Sequence, residues 1–82
     1  MMEHKLLLVD DDRDLLEMLC SIFRRAGYTD LVTASSGQEA LQVWREQQPA
    51  LIVLDVMMPG MDGFEVLREI RRTSHVPVLM LT

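Results

Sequence analysis

The chain has 82 residues, 49% of them apolar, and 8 Lys and Arg stand against 13 Asp and Glu for a net charge of −5. That length bounds it to one small domain, because a chain of this size buries only roughly 60–65% of its unfolded surface. The apolar content argues against disorder, and the acidic balance argues against direct nucleic-acid binding by this segment, which calls for a basic face.

The N-terminal apolar run, Leu6 to Val9, is followed by three aspartates. It is too short for a signal-peptide core of about 7–15 residues, and no run approaches the roughly 20 residues of a membrane span. The single cysteine, Cys20, excludes an internal disulfide and fits a reducing compartment. A soluble, cytoplasmic protein without a membrane partner is expected.

Leu6 to Val9 reads as a strand buried on both faces. Asp12 is placed to cap the next segment, where Leu15, Leu16, Leu19, Ile22, Phe23 and Ala26 recur at helical spacing as one buried stripe. Arg24 and Arg25 suit the negative end of that helix, and Gly27 is its expected stop. A short strand, Leu31 to Ala34, leads to Ser36 with Glu39 three residues on, the pattern of a capping box. The helix it opens carries Ala40, Leu41, Val43 and Trp44 and ends before Pro49. Leu51 to Leu54 is the third strand. Asp62 stands three residues before Glu65 and opens a third helix, with Phe64, Leu67 and Ile70 expected inward and Arg68, Glu69, Arg71 and Arg72 outward. Pro77 to Leu81 is the fourth strand. The order β-α-β-α-β-α-β reads as an α/β fold, a doubly wound parallel sheet. The last apolar strand has no helix after it, so residues 1–82 are expected to form a domain incomplete at its C-terminus, with an unpaired edge open to self-association.

Three apolar runs end in an acid or a hydroxyl: Val9 runs into Asp10, Asp11 and Asp12, Leu54 into Asp55, and Leu81 into Thr82. In a parallel sheet these ends share one edge, where open α/β sheets bind ligands. Two carboxylates about 4 Å apart repel by roughly 4 kcal/mol at an effective dielectric near 20, so the cluster calls for a compensating cation. Mg²⁺ is the natural candidate, because it takes hard oxygen ligands together with a phosphate oxygen, whereas a site without His or Cys does not suit zinc. Asp55 ends an apolar run with room beneath it for a phosphoryl group, and a carboxylate there can act as a nucleophile toward phosphorus. Taken singly, Asp10 to Asp12 could merely cap a helix and Asp55 could belong to the turn before Pro59 and Gly60. The three strand ends together favour the site.

The stretches Val9-Asp10-Asp11, Asp55-Val56-Met57-Met58-Pro59-Gly60-Met61-Asp62-Gly63 and Pro77-Val78-Leu79-Met80-Leu81-Thr82 carry a resemblance over essentially the whole chain. The sequence resembles the receiver domain of two-component response regulators, whose fold is flavodoxin-like. The middle stretch is the specific signature. The resemblance implies that Asp55 accepts a phosphoryl group from a phosphohistidine on a sensor histidine kinase. It implies a Mg²⁺ site of Asp10, Asp11, Asp55 and the main-chain carbonyl of Met57, with Asp11 direct and Asp10 mostly through water. Thr82 would hydrogen-bond the phosphoryl oxygen, and Pro59, Gly60 and Gly63 would shape the loop. Such a protein is a phosphoacceptor that assists its own modification by positioning and charge neutralisation, not a turnover enzyme. Family members continue with a helix, a fifth strand ending in Lys and a last helix, none of which follows Thr82 in this sequence. Phosphorylation is therefore expected to be weakened and its readout lost. Many relatives attach a DNA-binding domain, so transcriptional control is the expectation for a longer parent. Kinase recognition is expected on the first helix, around Asp14, Glu17, Met18 and Ser21.

Two other readings compete. A Mg²⁺-dependent phosphohydrolase with an aspartyl nucleophile resembles Asp-x-Asp, but the second residue after Asp55 is Met57, which lacks the second acid. A fragment acting mainly as a self-associating module through the fourth strand is compatible with the switch reading. His4 and His75 are expected to be exposed, the methionines Met57, Met58 and Met61 to pack around the acceptor loop, and Trp44 to lie in a helix core or flank.

Overall fold

The computed structural model describes residues 4–81. Strands and helices alternate as β1 (Leu6–Val9), α1 (Arg13–Arg25), β2 (Leu31–Ala34), α2 (Gly37–Gln47), β3 (Leu51–Asp55), α3 (Gly63–Arg71) and β4 (Val78–Leu81). All pairings are parallel, in the order β2-β1-β3-β4. The chain leaves β1 for β2 on one side and then crosses to β3 and β4 on the other. The reversal falls between β1 and β3, the place where an open α/β sheet leaves a crevice at its carboxyl edge.

The two faces of the sheet are packed differently. Leu7, Val9, Ala34, Ile52 and Leu54 point to α2 and α3, where Leu41, Trp44, Val66 and Ile70 close the larger core. Leu8 and Val53 point the other way, to Leu16 and Cys20 of α1, with Leu19, Phe23, Leu31 and Leu81 packed around them. β1 is buried at every position, as its unbroken apolar run requires. At the edge, Leu79 of β4 is 54% exposed.

Each helix is fixed at its start by a side chain. Asp12 Oδ1 accepts from the amides of Asp14 and Leu15 at 3.0 and 3.2 Å, Ser36 Oγ from Glu39 at 3.1 Å, and Asp62 Oδ1 from Glu65 at 2.9 Å. The capping box of α2 departs from the expected form. Glu39 reaches past Ser36 and accepts from the amide of Ser35 at 2.6 Å and from its hydroxyl at 3.1 Å. At the end of α1, the amide of Gly27 donates to Arg24 and that of Tyr28 to Phe23, both at 3.0 Å. The rings of Phe23 and Tyr28 meet edge-on with centroids 5.8 Å apart. Paired bonds with an apolar contact across the turn make a Schellman motif.

Three inward assignments are corrected. Phe64 is 56% exposed, because α3 buries Gly63, Val66 and Ile70, with Leu67 half-buried, and Phe64 lies about 200° around the helix from Val66. Ile22 is 54% exposed for the same reason: the buried line of α1 runs through Leu16 and Cys20, and Ile22 follows Cys20 by two residues. Ala26, the C-cap of α1, is exposed as well.

Candidate phosphoacceptor and metal site

The parallel register builds the site. Val9 of β1 pairs with Leu54 of β3, so the next residues, Asp10 and Asp55, emerge side by side at the carboxyl edge. Carboxylate oxygens of Asp10, Asp11 and Asp55 lie within 4.8 Å of one another. Asp10 is buried, Asp55 half-buried and Asp11 exposed, so the cluster grades from the sheet out to solvent. Asp10 is held at both ends: its amide donates to the Ala34 carbonyl at 3.2 Å, and its Oδ1 accepts from the Asp12 amide at 2.9 Å. Asp55 Oδ1 accepts from the Met57 amide at 3.1 Å, and the next amide, Val56, donates to the Leu81 carbonyl at 2.9 Å.

The electrostatics match the crowding. Burial pushes the Asp10 carboxyl above the usual carboxylate range. The Asp12 amide opposes that shift, and the charges of Asp55, Asp11 and Asp12 add to it. Among the described residues the ion pairs join Lys5 to Asp30 and Glu69 to Arg45 and Arg72, so none of these cations compensates the cluster. An all-carboxylate set of this size fits a hard, oxygen-seeking divalent cation such as Mg²⁺, and the absence of His and Cys from the cluster disfavours softer metals.

The loop after Asp55 is pressed close to it. The Gly63 amide donates to the Val56 carbonyl at 2.9 Å. A Cβ on Gly63 would fall on the Asp55 carbonyl and stand 2.8 Å from Val56 Cα, so the first residue of α3 has to be glycine for the helix to seat there. Met58 is buried and Met61 half-buried against the larger core, whereas Met57 is 75% exposed and does not pack as expected. Thr82, the expected phosphoryl contact, lies outside the described residues. His4 and His75 are exposed, Cys20 and Trp44 are buried, and Asp14, Glu17, Met18 and Ser21 form an exposed strip on α1. Gly37, at the start of α2, packs directly on Met61. The sequence reading passed over it, because nothing in the spacing of residues 36–39 indicates how close α2 stands to the loop.

Residues 6–82 match the response regulator receiver domain family. The chain belongs to that family. The receiver domain is 51% identical over 77 residues to the transcriptional regulatory protein AfsQ1 of Streptomyces coelicolor, a match covering 94% of this chain and 34% of that protein. It is 53% identical over 78 residues to a CpxR homolog, a transcriptional regulatory protein of Haemophilus influenzae, covering 95% of this chain and 34% of that protein. The chain thus spans about a third of the length of these curated relatives. Among solved structures, the N-terminal domain of a response regulator receiver protein from Methanoculleus marisnigri superposes with a TM-score of 0.91 at 38% identity, covering 96% of this chain and 66% of that one. The chemotaxis protein CheY4 of Vibrio cholerae gives 0.89 at 35% identity, covering 96% and 68%. The four-stranded parallel sheet with helices on both faces is the receiver fold, and the sequence expectation of a flavodoxin-like sheet holds. Among the described residues no helix is long and apolar enough to cross a membrane.

Proposed function

We propose that Asp55 is the phosphoacceptor of this receiver domain and that Asp10, Asp11, Asp55 and the main-chain carbonyl of Met57 hold the Mg²⁺ that the transfer requires. The observation that carries the reading is the convergence of three carboxylates within 4.8 Å at the switch point of the sheet. A bound divalent cation would neutralise charge on the carboxylates and on the phosphoryl oxygens. The chain supplies the nucleophile and its alignment. An Asp55 oxygen forms the new P–O bond as the P–N bond to the donor imidazole of a sensor histidine kinase breaks, and the ring, already protonated on its other nitrogen, takes the electron pair and leaves as neutral imidazole. The Met57 amide, already donating to Asp55 Oδ1, restricts which carboxylate oxygen faces the donor. Thr82 is proposed to contact the phosphoryl group. The domain is read as a cytoplasmic phosphoacceptor and not a turnover enzyme, because Met57 stands where aspartyl phosphohydrolases carry a second acid. Relatives named as transcriptional regulators support a role as the receiver of such a regulator, with DNA binding lying outside this acidic segment.

The test is intact-mass spectrometry after incubation with acetyl phosphate. One phosphoryl group is expected on the wild type with Mg²⁺, none in the presence of a chelator, and none on Asp55→Asn in either condition. Modification that is indifferent to both Mg²⁺ and Asp55→Asn would overturn the reading.

A second reading, compatible with the first, is self-association of the 82-residue chain through β4. The exposed Leu79, on the α1 face of the edge strand β4, favours it. Light scattering is expected to show a dimer or larger species that Leu79→Lys returns to monomer. A wild-type chain that is monomeric at high concentration contradicts it.

A further inference from the structure

The loop of residues 56–62, which carries Met57 beside Asp55, is gripped from two sides. On one side Gly63 lies against the Asp55 and Val56 backbone. On the other, the first residue of α2 lies against Met61. A Cβ on Gly37 would stand 2.8 Å from the Met61 carbonyl oxygen and 2.9 Å from both Met61 Cβ and Cγ. Gly37 is buried, and Ser36 before it is fixed by its cap on Glu39, so the turn has little freedom to back away. Met61 is itself held by the core beneath α2 and α3. One of the three close atoms is main chain, so any side chain at residue 37 has to displace the loop backbone or lift α2.

From this contact we infer that Gly37 is a positioning residue for the phosphoacceptor site, acting through Met61 on the loop that orients Asp55. The inference rests on the reading of Asp55 as acceptor for its effect on transfer, but not for its effect on the loop. Residue 37 would set where the Met57 amide and carbonyl sit, although it belongs to another helix and touches neither the carboxylates nor a phosphoryl group. The start of α2 thereby becomes a place from which the site can be tuned without altering an acidic residue.

The test uses Gly37→Ala in the full chain, with Gln42→Gly as a control that loses stability within α2 from its exposed face, away from the core that holds Met61. Amide hydrogen exchange in residues 56–62 is expected to rise in Gly37→Ala while β1 and β3 keep their protection, and the Gln42→Gly control is expected to leave the loop unchanged. Mg²⁺-dependent phosphoryl uptake from acetyl phosphate is expected to fall by about tenfold to a hundredfold, the scale of a small misplacement of a reacting group. Adding Met61→Gly removes two of the three close atoms and is expected to restore part of that loss. Unchanged exchange in the loop of a folded Gly37→Ala chain overturns the inference, as does a loop effect that Gln42→Gly reproduces. If the wild type takes up no phosphoryl group and loop exchange still rises, the positioning stands and the acceptor reading fails. If Gly37→Ala does not fold, the double variant decides: a restored fold supports the inference, and a chain still unfolded overturns it.

Discussion

Asp10 shows how the site strains the protein that carries it. The residue is buried, and the acids that face it are Asp11 and Asp12 from its own segment and Asp55 from β3. Its folded-state pKa is raised, so the native chain binds that proton more tightly than the unfolded chain does. The cost is absent below the ordinary carboxylate pKa, grows as pH rises through the raised one, and is fully present at neutral pH. Thermal melts of the metal-free chain are therefore expected to show Asp10→Asn more stable than wild type at pH 7, by about 1–2 kcal/mol on the scale of a partly screened carboxylate repulsion. The gain should vanish on acidification to about pH 3, below the usual carboxylate range. Mg²⁺ is expected to stabilise the wild type and to do so less for the variant. An Asp10→Asn chain less stable than wild type at neutral pH would show that Asp10 is compensated by something other than a bound cation. In the sequence, the identity of this residue was legible and its burial was not. Burial depends on the register that sets Asp10 beside Asp55, between β2 and β3.

At the scale of elements, the sequence specified starts and stops better than faces. Asp12, Ser36 and Asp62 all cap the helices they were expected to cap, because a side-chain oxygen accepting from amides two or three residues on is a purely local arrangement. Gly27 ends α1 for the same local reason. Faces depend on what lies opposite. Phe64 was expected inward on its apolarity alone, yet Gly63, Val66, Leu67 and Ile70 form the i, i+3, i+4, i+7 line that seats α3. That line was legible had Gly63 been counted as a contact residue, since a helix pressed against a strand end needs a residue without a Cβ at its first turn. The assignment has a measurable consequence. Val66→Ala is expected to cost about 2 kcal/mol by denaturant unfolding, on the scale of a buried large-to-small substitution, while Phe64→Ala is expected to stay within about 0.5 kcal/mol, as surface changes do. Equal losses would place Phe64 in the core and contradict the packing described for α3.

For the molecule as a whole, parallel topology does two things at once. Strand ends meet at one edge, so residues 45 positions apart in sequence, Asp10 and Asp55, become neighbours. Every helix begins at that edge and ends at the other. Residues that suit the helix dipoles are thereby sorted: Asp14, Glu39 and Glu65 stand in first turns, and Arg24, Arg25, Arg45, Arg68 and Arg71 in last turns. The acidic side chains of the first turns stand at the same edge as the carboxylate cluster, and their combined charge raises the local concentration of cations there. The element order and the meeting of Asp10, Asp11 and Asp55 could be read in advance because the strands are short, unbroken apolar runs, and β1 and β3 run into acids at the shared edge. The grip of α2 on the acceptor loop could not, because it is a contact between two segments whose spacing is set only by the finished core.

The central claim is that Asp55 itself takes the phosphoryl group. The most direct measurement is borohydride reduction of the chain after acetyl phosphate and Mg²⁺ treatment, followed by peptide mass mapping, since an acyl phosphate is reduced to an alcohol and a phosphohistidine is not. The account predicts homoserine at residue 55, dependent on Mg²⁺ and found at no other acid. Phosphoryl retained on His4 or His75, or reduction at Asp10 or Asp11 with Asp55 intact, would contradict it.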